Sequence, residues 1–302
     1  MSAILPIADG RLIDASGAYR MSLDWYHQDC CVGPSVSSSG LRTIELQSPH
    51  MFWAFSHLNP KRFVREPSAA LDFGKAAHAL LLGDEDFAAG YVVSPFDSFR
   101  TKAAQEWRDA ETRTVITEAD YQHICNMAEA LHAHGLPDVI FGGEPEVSLI
   151  WQDRTGVWVK ARPDALPETG DLGDLKTTAD ASREACLREI TKRGYDMQMA
   201  LAIEGLERVL GRKPPATVLI FVQKTPPYTV TAIPISEDAL YWARCRNRRA
   251  IDTFASCLES GVWPSDGDDM REYELPAWLA QRLSDEQSDG RLPNLNAEGE
   301  VV

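Results

Sequence analysis

The stretch Arg162-Pro163-Asp164, followed by Gly173-Asp174-Leu175-Lys176-Thr177-Thr178, decides how this chain is read, because it sets one carboxylate ten residues before an Asp-X-Lys triplet. Side chains of a strand alternate between its faces, so Asp174 and Lys176 share one face while Leu175 points into the opposite, buried layer. The intervening residues, with Pro167, Thr169, Gly170 and Gly173, read as a hairpin turn that returns the chain beside Asp164. Two carboxylates held together repel unless a hard divalent cation sits between them, and oxygen donors favour Mg²⁺ or Mn²⁺ over zinc. A lysine on the same face can orient or help deprotonate a metal-bound water, which is the constellation for metal-assisted phosphodiester hydrolysis. A motif this short also fits a surface hairpin with an ordinary Asp/Lys pair, so its flanks must decide.

The flanks are Glu144-Pro-Glu-Val-Ser-Leu-Ile-Trp151 and Val157-Trp-Val-Lys-Ala-Arg-Pro-Asp164. Together with Gly173 to Thr178 they resemble the PD-(D/E)XK nucleases, and in particular the RecE-type exodeoxyribonuclease VIII branch, which also resembles phage lambda exonuclease. Upstream, Asp72-Phe-Gly-Lys-Ala-Ala-His78 and the apolar run to Gly83 are similar to the family helix that brings a His or Glu to the metal. Downstream, Tyr195-Asp-Met-Gln198 and the run to Gly205 are similar to the helix that carries a Gln near the site. Many relatives place a Tyr four residues after that Gln; here it is Ala202, so only the Gln half of the motif carries over.

The resemblance implies an α/β fold with a mixed central sheet flanked by helices. It implies a Mg²⁺- or Mn²⁺-dependent exonuclease that digests one strand of linear duplex from its 5′ end and hands the 3′ single strand to a strand-annealing protein. A phage or prophage origin, a closed homo-oligomeric ring and double-stranded DNA ends as substrate follow from the same likeness. In that reading His78, Asp164 and Asp174 hold metal, and Lys176 and Gln198 set up the attacking water. Desolvation and a neighbouring cation are expected to push the Lys176 pKa down, which suits a group that handles a water proton. Glu146 is a secondary candidate, with Glu144 an equal competitor. Ser37, Ser38 and Ser39 at a helix start, with Arg42, form a candidate site for a terminal phosphate, because exposed amides and the helix dipole favour anions there. The rivals are an endonuclease of the same superfamily or a RecB-like helicase-associated nuclease, and a non-catalytic DNA-end or recombinase-binding protein.

The composition agrees with one catalytic core: 302 residues, 44% of them hydrophobic, with no long Ser/Gly linker. No apolar run is long enough for a membrane span and no leader pattern opens the chain, so a cytoplasmic protein is expected. Six cysteines lack CxxC spacing, which favours reduced thiols over an iron–sulfur cluster. Thirty basic against 45 acidic residues give a net charge of −15, which argues against a nonspecific DNA-coating protein but not against a nuclease with local positive potential and a metal-neutralised acidic cluster. Arg183, Arg188, Lys192 and Arg193, or Arg244, Arg246, Arg248 and Arg249, are the candidate phosphate contacts.

Three parts are expected: an N-terminal arm (1–36), the nuclease domain (37–260) and an acidic, partly disordered tail (261–302). Hydrophobic periodicity predicts helices over 69–82, 118–134 and 237–258, and over 181–210 with a break near Gly194. Strands are expected over 145–151, 157–166, 172–177, 217–223 and 228–235, and a mobile segment over 94–113. The unbroken apolar run Thr217-Val-Leu-Ile-Phe-Val-Gln223 has the character of a strand buried on both faces.

Overall fold

A computed structural model of the chain describes residues 4–64, 69–82, 87–88, 90–135, 143–167, 170–265, 267, 272–295 and 301. It divides into two units, residues 1–265 and 266–302. In the first, a five-stranded sheet runs in the order β1 (Leu5–Pro6), β2 (Gly17–Arg20), β7 (Ser148–Gln152), β8 (Trp158–Ala161) and β3 (Ser35–Ser37). A three-stranded sheet follows as β10 (Leu172–Thr178), β11 (Thr217–Gln223) and β12 (Val230–Pro234). Each mixes pair directions: β3 runs parallel to β8 and β10 to β11, while β7–β8 and β11–β12 are antiparallel. The expected mixed sheet is therefore present, divided into two ladders. Short pairs complete the strands: β4 (Tyr91–Val93) with β5 (Thr114–Ile116), and β6 (Glu144–Pro145) with β9 (Ala165–Leu166).

Among the described residues the α-helices of this unit are α1 (Leu23–Tyr26), α2 (Ser38–Leu46), α3 (Pro49–Phe55), α4 (Ala69–Leu82), α5 (Lys102–Ala110), α6 (Glu118–Ala133), α7 (Arg183–Arg193), α8 (Tyr195–Gly205), which runs on into a π-helical turn (Leu206–Leu210), and α9 (Glu237–Ser260). Their starts follow the capping chemistry of the sequence. Ser37 and Ser48 accept hydrogen bonds from the amides of Gly40 and Met51, and Pro49 fills the first helical position, where no amide hydrogen is needed. Gly194 ends α7 in the left-handed conformation (φ 65°) and opens α8, as the expected break requires. Its close neighbours are the side chains of Leu46 and Arg42 on α2.

The alternation of β10 sorts the core into two layers. Leu172, with Leu219 and Phe221 of β11, belongs to the cluster shared with α2, α8 and α9. Leu175 packs on the other side with Ile220, Val222 and residues of α4 and α6, including Ala77, Ile124 and Met127. β11 is covered on both faces, as its continuous apolar run implies.

Four expectations change. Of the expected N-terminal arm, residues 4–36 pack onto the core: β2 pairs with β7, and Ile13, Tyr19, Met21, Tyr26, Cys30 and Cys31 bury themselves against Ile150 and Trp158. Weak periodicity hid them, because their apolar residues are spaced by loops rather than by helix or strand turns. The segment expected to be mobile contains α5, capped by Thr101. The strand expected over 145–151 breaks at Glu146, whose φ of 49° lies in the left-handed region. The second unit carries a helix, α10 (Ala277–Ser288), inside the expected tail. Gly83 and Thr169 lie outside the described residues.

Candidate active site

Asp164 sits in the bend between β8 and β9, after Pro163. It does not reach β10 through a regular hairpin ladder. Its carboxylate does so instead, Oδ2 accepting a hydrogen bond from the Leu175 amide at 2.7 Å. The amide of Glu146 donates to the Asp164 carbonyl at 3.0 Å, so the left-handed turn at Glu146 clamps the same bend. Asp174 is thereby brought to the Asp164 side chain with only 2% of its surface exposed. Asp174 Oδ1 accepts from Gln198 Nε2 on α8 at 2.6 Å, and its Oδ2 forms an ion pair with the Lys176 ammonium. His78, on α4, places Nδ1 3.6 Å from Asp164 Oδ2. Five residues read from the sequence, spread from position 78 to 198, thus converge on one point.

Burial and the neighbouring Asp174 charge push the Asp164 pKa up to about 6, against the opposing pull of His78, Lys176 and the Leu175 amide. Lys176 behaves differently from the sequence expectation. Its burial does disfavour the ammonium, but the two carboxylates outweigh that effect and its pKa is raised, not lowered. It also lies over the Tyr195 ring, 4.7 Å from the centroid, a contact that stabilises the cation further. Lys176 is a fixed positive charge on Asp174 rather than a ready base.

The two carboxylates fit a hard divalent cation by their chemistry. Asp174 is buried and Asp164 largely so, both offer carboxylate oxygens, and Gln198 Oε1 is a buried oxygen without a partner. Among the described residues there is no preassembled cluster of three His, Cys, Asp or Glu ligands. Mg²⁺ does not need one, since it binds through one or two carboxylates and keeps several waters or substrate oxygens.

Two cavities meet at this cluster. A larger one, about 990 Å³, is lined by His78, Lys176, Thr177, Thr178 and Tyr195; a smaller one, about 180 Å³, by Asp164, Asp174 and Gln198. Ser37, Ser38, Ser39 and Arg42 line the smaller cavity as well, so the candidate phosphate residues face the acidic pair. Ser37 and Ser39 hydroxyls lie 3.0 Å apart, and Ser38 Oγ is buried without a partner. Arg42 donates to the Arg193 carbonyl at 3.0 Å. Glu146 lines both cavities but its carboxylate is held at 2.6 Å by Arg162 Nη2, which makes it a structural partner more than a free ligand.

The sequence reading missed the supports of the site. Arg162 also binds the Met21 carbonyl and Ser148 Oγ, tying the N-terminal segment to the Asp164 bend. Lys160, 1% exposed, donates to the carbonyls of Tyr26 and Gln28. Both sit at alternate positions of the motif strand, and that periodicity was the available signal. The arginines proposed as phosphate contacts are mostly used internally: Arg244 with Glu207, Arg246 with Glu45 and Asp196, Arg248 with Asp153 and Asp252, and Arg249 with Glu45. Arg188 and Arg193 pair along α7 with Glu184 and Glu189.

No curated protein sequence matches the chain significantly. Among solved structures, the chain is similar to the crystal structure of a protein from Eubacterium rectale described as a "Putative exonuclease", with a TM-score of 0.56 at 12% identity over 81% of this chain and 91% of that one. An overlap with the structure of SSO0001, at a TM-score of 0.26 and 12% identity over 61% and 86% of the two chains, is too low to bear on the fold. The sequence profile described as a PDDEXK-like domain of unknown function (DUF3799) matches residues 37–273, which include every site residue described above. With the fold and that match in agreement, the chain belongs to this PDDEXK-like family, within the PD-(D/E)XK nuclease superfamily.

Proposed function

We propose that this protein is a Mg²⁺- or Mn²⁺-dependent exonuclease of the RecE type, acting on the ends of linear duplex DNA. The observation that carries the reading is the convergence of Asp164, Asp174, Lys176, Gln198 and His78 on the wall between two cavities. Asp164 and Asp174 would hold the cation, with His78 beside Asp164. A bound cation there supplies charge neutralisation at the scissile phosphate and a more acidic water. Gln198 fixes the rotamer of Asp174 through its amide, so the carboxylate presents Oδ2 in one direction. Lys176 keeps its proton and places positive charge where a phosphate oxygen gains negative charge. The smaller cavity, with Ser37, Ser39 and Arg42, suits the phosphate at a strand end, and the larger one suits the continuing strand.

The finer assignments rest on the resemblance of the motifs. These are 5′ to 3′ polarity, a 3′ single strand passed to an annealing protein, a homo-oligomeric ring, and a phage or prophage setting in the bacterial cytoplasm. Among the described residues no helix is long and apolar enough to cross a membrane. The test uses linear duplexes labelled at the 5′ or the 3′ end beside covalently closed circles, with and without Mg²⁺. The proposal expects mononucleotide-scale release from 5′ ends of linear DNA only, and intact circles. Cleavage of circles would assign an endonuclease instead.

A further inference from the structure

The larger cavity is rich in cations, yet most of them are already neutralised. Arg20 pairs with Glu144, Arg162 with Glu146, Lys176 with Asp174 and Arg193 with Glu189. Two lining cations remain, Lys75 and Lys224, and among the described residues neither has a carboxylate within 4 Å. Their positions are not arbitrary. Lys75 lies three residues before His78 on α4, which puts the two on one helix face. Lys224 follows the last residue of β11, and its amide donates to the Thr178 carbonyl at 2.9 Å. It therefore sits at the ends of the parallel pair β10–β11, beside Thr177 and Thr178, just beyond Lys176.

In a chain with 45 acidic residues and a net charge of −15, two lysines of one concave wall stand without a carboxylate partner among the described residues. Flanking a phosphodiester-cleaving cluster, with threonine hydroxyls between, they make a binding surface for a polyanionic strand. We infer that Lys75 and Lys224 form a phosphate track for the uncleaved part of the strand, which runs along the larger cavity over Thr177 and Thr178 and away from the acidic pair. This rests on the nuclease reading given above, and assigns its strand-holding contacts to residues outside the family motifs. Both lysines would act as positioning residues: they touch phosphates remote from the bond that breaks.

The test measures DNA binding and turnover for Lys75→Ala, Lys224→Ala and the double variant, with Lys213→Ala, a lysine paired with Glu237, as control. Binding is read by fluorescence anisotropy of an end-labelled linear duplex in Ca²⁺ over a salt series. Each track variant should lower the slope of log K against log salt by about 0.7 to 0.9, the increment for one phosphate contact, and the control should not. In turnover KM should rise while kcat stays near wild type, and Mg²⁺ should raise the melting temperature of every variant as it does that of wild type. An unchanged salt slope in the double variant overturns the track, as does a loss confined to kcat. Failure of wild type to cleave any DNA would sink the nuclease proposal alone, because the slopes in Ca²⁺ still decide whether these lysines hold a strand; absence of wild-type binding would overturn both.

Discussion

At the scale of single residues, the site is a small set of charges whose arrangement sets what each can do. Asp174 is buried and held from two sides, by the Gln198 amide and the Lys176 ammonium. Asp174→Ala should therefore remove cleavage and lower the melting temperature, since the Lys176 ammonium loses one of its two carboxylates, while an unchanged circular dichroism spectrum separates loss of a ligand from loss of the fold. Lys176→Ala should cost at least about 10²-fold in kcat through lost charge stabilisation, the scale seen when one preorganised donor is removed. Asp164 gives a pH signature. Its folded pKa of about 6 lies above its ordinary value of 3.8, so its contribution to metal-free stability is full below about pH 4 and is lost as pH rises through 6. A cation compensates the ionised carboxylate. Stabilisation by Mg²⁺ in thermal-shift measurements should thus be small at pH 5 and grow through pH 6 to 7; a Mg²⁺ effect independent of pH over that range would remove Asp164 from the metal site. The acids, the lysine, the histidine and the glutamine were all legible in the sequence, because motif spacing fixes residue identity. The direction of the Lys176 shift was not, since it depends on how close two carboxylates come once the chain has folded.

Secondary-structure elements deliver these residues, and their fidelity depends on a few close approaches. α8 carries Gln198 and crosses β7 where Gly205 leaves no room: a Cβ there would lie 2.9 Å from the Trp151 ring and 3.1 Å from Leu149. Gly205→Val should destabilise the protein by about 1–3 kcal/mol, as overpacking does, and should reduce kcat by moving Gln198 off Asp174. Denaturant melts and turnover measured on the same variant check both effects. α9 is pinned by Arg248, which grips the buried Asp153 carboxylate with bonds of 2.7 and 3.0 Å. Arg248→Ala leaves that carboxylate without its cation and should cost about 3–5 kcal/mol, with no change in the DNA salt slope. α2, α6, α9 and β11 could be placed from periodicity and capping residues, because those signals are local. The integration of residues 4–36 was hidden from such signals. It depends on β2 finding β7 more than a hundred residues away, and on Arg162 and Lys160 binding carbonyls of the segment between. The break of the motif strand at Glu146 was equally invisible, being imposed by the amide that clamps Asp164.

For the whole molecule, the acidic balance of 45 to 30 and the internal use of most arginines leave little positive surface for DNA. Binding without divalent ions should then be weak and fall steeply with salt, and Ca²⁺ should restore it by neutralising Asp164 and Asp174. Anisotropy with linear duplex in EDTA and in Ca²⁺ checks this; tight, metal-independent binding to circular duplex would favour a non-catalytic binding protein. The division into two ladders, with β8 ending at one carboxylate and β10 carrying the other, gives the core the scaffold that the proposed metal-dependent nuclease requires. That claim meets its most direct test in the turnover of linear duplex DNA by wild type and Asp174→Ala, each in Mg²⁺ and in EDTA. Cleavage is expected from wild type in Mg²⁺ alone, with none above background in the other three reactions. Wild-type-like turnover by Asp174→Ala, or cleavage in EDTA, would contradict it.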